Sequence, residues 1–167
     1  MVFYALLIAA VAVERVAELV VSQRNLAWSR ARGGVEFGAR HYPAMVALHT
    51  ALLAGCLLEA FYRPFLPALG WPMLAVVLAA QGLRWWCITT LGHQWNTRVV
   101  VIPDADRVTG GPYRFFSHPN YVAVVVEGIA LPLVHTAWIT AVVFTVLNAF
   151  VLRTRIGVEN SALARLR

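Results

Sequence analysis

Five apolar stretches dominate this chain, at about 2–22, 43–60, 72–91, 120–134 and 136–152. A helix that crosses the hydrocarbon layer of a bilayer needs roughly 20 mostly apolar residues, and three of the stretches approach that length. Of the 167 residues, 60% are hydrophobic and 13% charged, against about 45–50% and about 25% in soluble domains. The chain therefore reads as an all-α integral membrane protein, a single domain over 1–167 with five transmembrane helices. Helices are favoured because each satisfies its own backbone hydrogen bonds where no water is present. The last two stretches are short and are joined by "PLVHTAW", where Pro132 and His135 allow a tight turn. They are expected to form a helical hairpin.

Two further features refine this picture. Glu14, Arg15 and Glu18 interrupt the first stretch, which also lacks the basic start and small-residue cleavage site of a signal peptide. It is expected to persist in the mature protein. Cys56 and Cys87 both fall inside apolar stretches, so they read as small buried hydrophobes and not as a disulfide framework.

Charge then sets orientation. All fourteen basic residues are arginine, and the formal net charge is +6. Arg24, Arg30, Arg32 and Arg40 follow the first stretch; Arg98, Arg107 and Arg114 follow the third; Arg153, Arg155, Arg165 and Arg167 follow the fifth. Arg63 alone lies in the loops of the opposite side. By the positive-inside rule the N-terminus is expected outside and the C-terminus in the cytoplasm. The charge serves topology, and nucleic acid is not an expected partner.

That topology gathers three polar segments at one end: "LGHQWNTRV", "GGPYRFFSHPNY" and "RIGVENSAL". A cytoplasmic-side cofactor cleft would let a water-soluble, charged cofactor enter there while a lipid-soluble substrate came sideways from the bilayer. In the second segment Gly110 and Gly111 permit unusual backbone angles, and Pro112 fixes another. Pro119 suits the first turn of a helix, with Ser117 or His118 near its cap. Tyr113 and Tyr121 offer ring faces to a flat base or a cation. An interfacial turn anchored by aromatics is the alternative.

Within the fourth stretch, Asn120 and Glu127 are seven residues apart and share a helix face. Glu127 either marks an internal site or pairs with an arginine such as Arg84. Asn148, Arg155 and Glu159, spaced by seven and four, fall within roughly 40° on one helical stripe. Arg155 can grip a carboxylate or enolate; Glu159 can hold a cation or act as a base. The same pair is also an ordinary surface salt bridge. His93 is a candidate base or a structural histidine. The five histidines show no paired ligand spacing, so no metal site is expected.

Taken together, "GPYRFFSHPNY", an apolar hairpin and then "RIGVENSAL" resemble the isoprenylcysteine carboxyl methyltransferase family of integral membrane enzymes. "ERVAELVVSQRN", "GVEFGARHYPAMVALH" and "LGHQWNTRVVVIP" are similar to its small bacterial branch, whose members often accompany type III polyketide synthases. The resemblance covers nearly the whole chain and is most specific from Leu91 to Leu163.

It implies methyl transfer from S-adenosylmethionine to an oxygen of a lipophilic acceptor in a bacterial inner membrane. The family's cofactor segment falls on Gly111, Pro112, Tyr113, Arg114, His118, Pro119, Asn120 and Tyr121, and its C-terminal pattern on Arg155, Glu159 and Leu163. Asn160 stands where that pattern has a second Glu. On this basis Glu159 helps hold the cofactor, Arg155 with Arg98 or Asn148 orients the acceptor oxygen, and His93 or Glu159 serves as base for a phenol. The bacterial branch implies a long-chain alkylpyrone or related polyketide as acceptor, with a type III polyketide synthase as functional partner. Prenylcysteine-like carboxylates, and a sterol-reductase-like enzyme using NADPH, are the alternatives.

Overall fold

The computed structural model describes residues 1–103 and 105–165, the Arg165 side chain excepted. That side chain and Arg167, both counted above for topology, lie outside the described residues. Among the described residues there are five α-helices: α1 (Val2–Arg30), α2 (Tyr42–Ala60), α3 (Pro67–Leu91), α4 (Pro119–Leu133) and α5 (Trp138–Arg165). Pro43, Pro67 and Pro119 each stand in the first turn of their helix, where a missing N–H costs no intrahelical bond. Three segments, Ala39–Ala60, Pro67–Gln94 and Trp138–Ala164, are long and apolar enough to cross a membrane. The fourth helix is apolar but has 15 residues, and the first carries three of its five charges, Glu14, Arg15 and Glu18, near mid-length.

The helix surfaces are apolar on the outside, and the interior changes from apolar at one end to polar at the other. Along α1 the buried residues are Tyr4, Ile8, Val11, Glu18, Ser22, Asn25 and Ser29. Their three- and four-residue spacing traces one stripe that turns from apolar to polar halfway along. Leu6, Val13 and Val20 face outward and are exposed. A soluble helix would reverse this arrangement.

The two ends of the bundle differ. At the far end Tyr4, Leu52, Cys56, Leu131, Val134 and Phe144 pack into a solid core, and the Tyr4 hydroxyl donates to the Leu131 carbonyl at 3.0 Å. Both cysteines are free and buried. The expected hairpin closes here. Thr136 adopts a left-handed conformation (φ 56°), and its hydroxyl donates to the Pro64 carbonyl at 2.6 Å. Glu59 of α2 accepts the Ile139 and Thr140 backbone N–H groups at 3.1 and 2.8 Å. A carboxylate from another helix thus satisfies the free N–H groups that open α5.

At the arginine-rich end, two connections are stitched together. Val35–Phe37 (β1) pairs antiparallel with Val99–Val101 (β2), with Glu36 opposite Val100. This ribbon is the one sheet among the described residues, and it adds to the expected all-α class without changing it. The fifth helix outruns its apolar stretch and carries the expected stripe of Asn148, Arg155 and Glu159. It continues past residue 152 to Arg165, because nothing after Leu152 breaks a helix: the segment has no proline, and Gly157 only weakens it. Arg155 and Glu159 are therefore held on rigid helix.

Between the ends, α1, α3 and α4 are joined by a buried ionic network. Arg84 donates to Glu127 and lies 3.7 Å from Glu18. Arg15 reaches Glu18 at 2.8 Å and Glu127 at 3.3 Å. Gln81 and the Trp85 ring N–H both donate to Glu14. Of the two roles open to Glu127, pairing with Arg84 is the one observed.

Candidate functional site

The arginine-rich end is hollow. A cavity of about 560 Å³ lies among Val99–Ile102, residues 105–109, the start of α4 and the last turns of α5. Its shape depends on the 110–119 segment. Gly111 has φ 54°, and a Cβ there would lie 2.5 Å from the Thr90 hydroxyl, so a glycine lets the turn press against the end of α3. Pro112 is buried beneath it. Residues Gly111–Arg114 form a 3-10 turn, His118 caps α4, and Pro119 occupies its first turn.

On that frame three side chains converge. The Tyr121 hydroxyl donates to Glu159 Oε2 at 2.6 Å. His118 Nδ1 lies 3.6 Å from Glu159 Oε1, and its ring stacks on Tyr121 with centroids 5.4 Å apart. The neighbouring Glu159 carboxylate raises the His118 pKa above the ordinary histidine value, against the opposing effect of partial burial. Burial drives the Tyr113 phenol upward, so it remains a neutral polar group at the wall. A carboxylate backed by aromatic faces suits a cationic ligand.

The His118–Glu159 ion pair makes a testable sign. A raised folded-state value stabilises the protein below the unfolded histidine value of about 6.5. That contribution is lost as pH rises through the folded value. An NMR titration of the His118 ring is expected to give a midpoint above about 6.5, falling toward it in Glu159→Gln. An unchanged midpoint in the variant would remove Glu159 as the cause.

A second cavity, about 350 Å³, extends into the bundle between α1, α2, α4 and α5. Val11, Val16, Val46, Leu53 and Phe144 make its walls apolar; Arg15, Arg84 and Glu127 line its deep part. Its wall and that of the first cavity share Trp95, Asn96, Asn120, Tyr121 and Arg155. Arg155 is 5% exposed. One terminal nitrogen donates to the Thr97 carbonyl at 2.9 Å and the other lies 3.0 Å from Met45 Sδ. Asn120 Oδ1, Asn148 Oδ1, the Trp95 ring nitrogen and Arg155 Nε are buried without a hydrogen-bond partner. A buried polar atom left unpaired is costly, so this junction suits a ligand with polar atoms of its own.

The structure brings Tyr113, His118, Asn120, Tyr121, Arg155 and Glu159 to one hollow, with Leu163 at its wall. Asn148 belongs to the second cavity. Arg98 lines the first, but Glu36 holds its guanidinium at 2.6 Å and the Tyr42 ring lies 4.3 Å away. Gly111, Pro112 and Pro119 shape the backbone behind the site. Two residues stand elsewhere. His93 is exposed and stacks on Trp28, with centroids 5.2 Å apart, because Gly92 (φ 52°) turns the chain outward after α3. Arg114 is exposed and lies over the Phe115 ring.

Sequence reasoning missed the support behind the shared wall. Ser22 bonds Asn96 and Thr97, each at 2.7 Å, and Asn25 donates to the Trp95 carbonyl at 2.7 Å. The available signal was the polar continuation of the α1 stripe at Ser22, Asn25 and Ser29.

Comparison with known proteins adds an independent line. The sequence profile of the isoprenylcysteine carboxyl methyltransferase (ICMT) family matches residues 73–165. The chain is 36% identical over 159 residues to the uncharacterized protein YpbQ of Bacillus subtilis (strain 168), covering 95% of each chain. It is 24% identical over 168 residues to an uncharacterized protein of Haemophilus influenzae, covering 99% of this chain and 98% of that one. No solved structure matches it significantly.

Proposed function

The chain belongs to the isoprenylcysteine carboxyl methyltransferase family, and from that premise we propose that it is a membrane methyltransferase moving a methyl group from S-adenosylmethionine to an oxygen of a lipophilic acceptor. One observation carries this reading: a polar cavity at the bundle mouth and an apolar cavity within the bundle share a wall containing Arg155 and Tyr121. Two substrates of opposite solubility can meet across such a wall. Both volumes fall within the roughly 300–1,000 Å³ of small-molecule sites.

The residues fit the donor. Glu159, with Tyr113, Tyr121 and His118 around it, offers negative charge and ring faces to a positively charged ligand. When bound, the donor supplies a methyl carbon already activated by its sulfonium, so the protein has no nucleophile or metal to provide. The residues align the reactants and exclude water, and alignment alone contributes several kcal/mol, up to about 7–11 in favourable intramolecular cases. Arg155 draws the acceptor oxygen to the shared wall and stabilises it as an anion.

For the acceptor we put forward a long-chain alkylpyrone or related polyketide hydroxyl. Its tail would occupy the apolar cavity, and its oxygens would meet Asn120, Asn148 and Trp95. We also place the cleft on the cytoplasmic side of a bacterial inner membrane, where the donor is made; the gathering of arginines at that end supports this. A type III polyketide synthase would then supply the acceptor.

Calorimetry on the detergent-purified protein tests the reading. S-adenosylmethionine and S-adenosylhomocysteine are expected to bind the wild type, with at least tenfold weaker binding in Glu159→Ala, about 1.4 kcal/mol. Binding of NADPH without either would instead identify a reductase.

A further inference from the structure

A hydroxyl acceptor must lose a proton when it is methylated, and the described site holds a path for it. Tyr121 lies in the wall common to both cavities, Glu159 lines the mouth cavity, and His118 stands partly exposed at the same cavity. The Tyr121 hydroxyl donates to Glu159 Oε2 at 2.6 Å, and His118 Nδ1 stands 3.6 Å from the other oxygen of the same carboxylate. We propose that Tyr121, Glu159 and His118 form a proton outlet leading from the acceptor oxygen to water. This inference rests on the methyltransferase reading and specifies the acceptor as a group that arrives protonated.

The step balances as follows. The acceptor oxygen forms a bond to the methyl carbon, and the carbon–sulfur bond breaks with its electron pair remaining on sulfur. The acceptor proton passes to the Tyr121 oxygen while the Tyr121 proton passes to Glu159 Oε2. The Glu159–His118 pair then releases one proton through the exposed edge of His118. Timing follows from electrostatics. Glu159 would stay ionised beside a cationic donor and would bind a proton more readily beside the neutral product.

Other charges frame this pair. Arg155 stands one helical turn before Glu159 on α5 and lines the same cavity. Arg107 opposes protonation of His118, and Asn160 beside Glu159 supports it. The neutral Tyr113 phenol stands on the wall of the same cavity. Neither arginine offers a proton at neutral pH, so His118 is the exit among these groups.

The test measures protons directly. Binding of S-adenosylmethionine and of S-adenosylhomocysteine is followed by calorimetry between about pH 6 and 8, the range in which histidine exchanges protons, in buffers of different ionisation heat. The homocysteine form, neutral at sulfur, is expected to take up a larger fraction of a proton, and Glu159→Gln abolishes the difference. Equal uptake by the two ligands overturns the outlet while leaving the methyltransferase reading intact. Failure of both ligands to bind overturns both.

A kinetic arm isolates Tyr121. With 3-pentadecylphenol and palmitate as probe acceptors, Tyr121→Phe is expected to lower the ratio of phenol to carboxylate methylation by about 100-fold, the scale of a lost proton-transfer group. An unchanged ratio assigns Tyr121 to packing alone and overturns the proposal.

Discussion

Arg155→Leu is expected to lower kcat/KM for methyl transfer by about 10²–10³-fold, the loss seen when one charge-stabilising donor is removed from a reaction site. The argument rests on its placement. Arg155 is buried in the wall between the cavities, anchored by the Thr97 carbonyl and Met45, with Nε unpartnered. A guanidinium there stabilises the negative charge that develops on the acceptor oxygen as its proton leaves; leucine withdraws that stabilisation and leaves a poor nucleophile. The residual rate should rise with pH more steeply than in the wild type. Arg155→Lys is expected to recover only part of the loss, because a point charge does not reproduce a planar fork of donors. Steady-state kinetics across pH check this, with S-adenosylhomocysteine affinity as the control for folding. Wild-type rates in Arg155→Leu would refute the assignment.

The largest stability effect is expected from Arg84→Leu. Arg84 binds Glu127 and approaches Glu18, and all three are nearly inaccessible. Removing it leaves two carboxylates sharing Arg15 in a space with little water. Breaking a buried pair from one side costs about 3–5 kcal/mol, enough to lower the thermal midpoint in detergent by many degrees. The double variant Arg84→Leu with Glu127→Leu is expected to recover part of that loss, since it removes the stranded charge together with its partner. Arg24, exposed on α1, provides a control whose replacement by leucine should change the midpoint little. A single-variant midpoint equal to that of wild type would mean that the network does not hold the bundle together.

Much of the fold was legible because bilayer physics writes it into composition. Apolar runs marked the helices, proline and histidine marked the start of α4, and arginine placement marked the end at which the loops collect. The Asn148, Arg155 and Glu159 stripe was also readable, since helical spacing is a local property. Its continuity as one helix to Arg165 then distributes the three between the two cavities.

Long-range pairing was opaque. Nothing near Arg98 announces that Glu36, 62 residues away, holds its guanidinium, or that Val35–Phe37 pairs with Val99–Val101. The outward placement of His93 follows from the backbone turn at Gly92, which a list of polar residues does not contain. Ser22 and Asn25 were visible as polar positions at helical spacing, yet their task of holding the 95–97 backbone depends on a segment some seventy residues away.

The central claim is that a soluble methyl donor and a membrane-dissolved oxygen meet at the wall shared by the two cavities. The most direct measurement supplies S-adenosylmethionine labelled in its methyl group to membranes containing the protein, then extracts the lipids. Label is predicted in an organic-soluble, ether- or ester-linked product with wild-type membranes, and not with Glu159→Gln membranes. Label-free lipids in both, with the protein folded and present, would contradict the account.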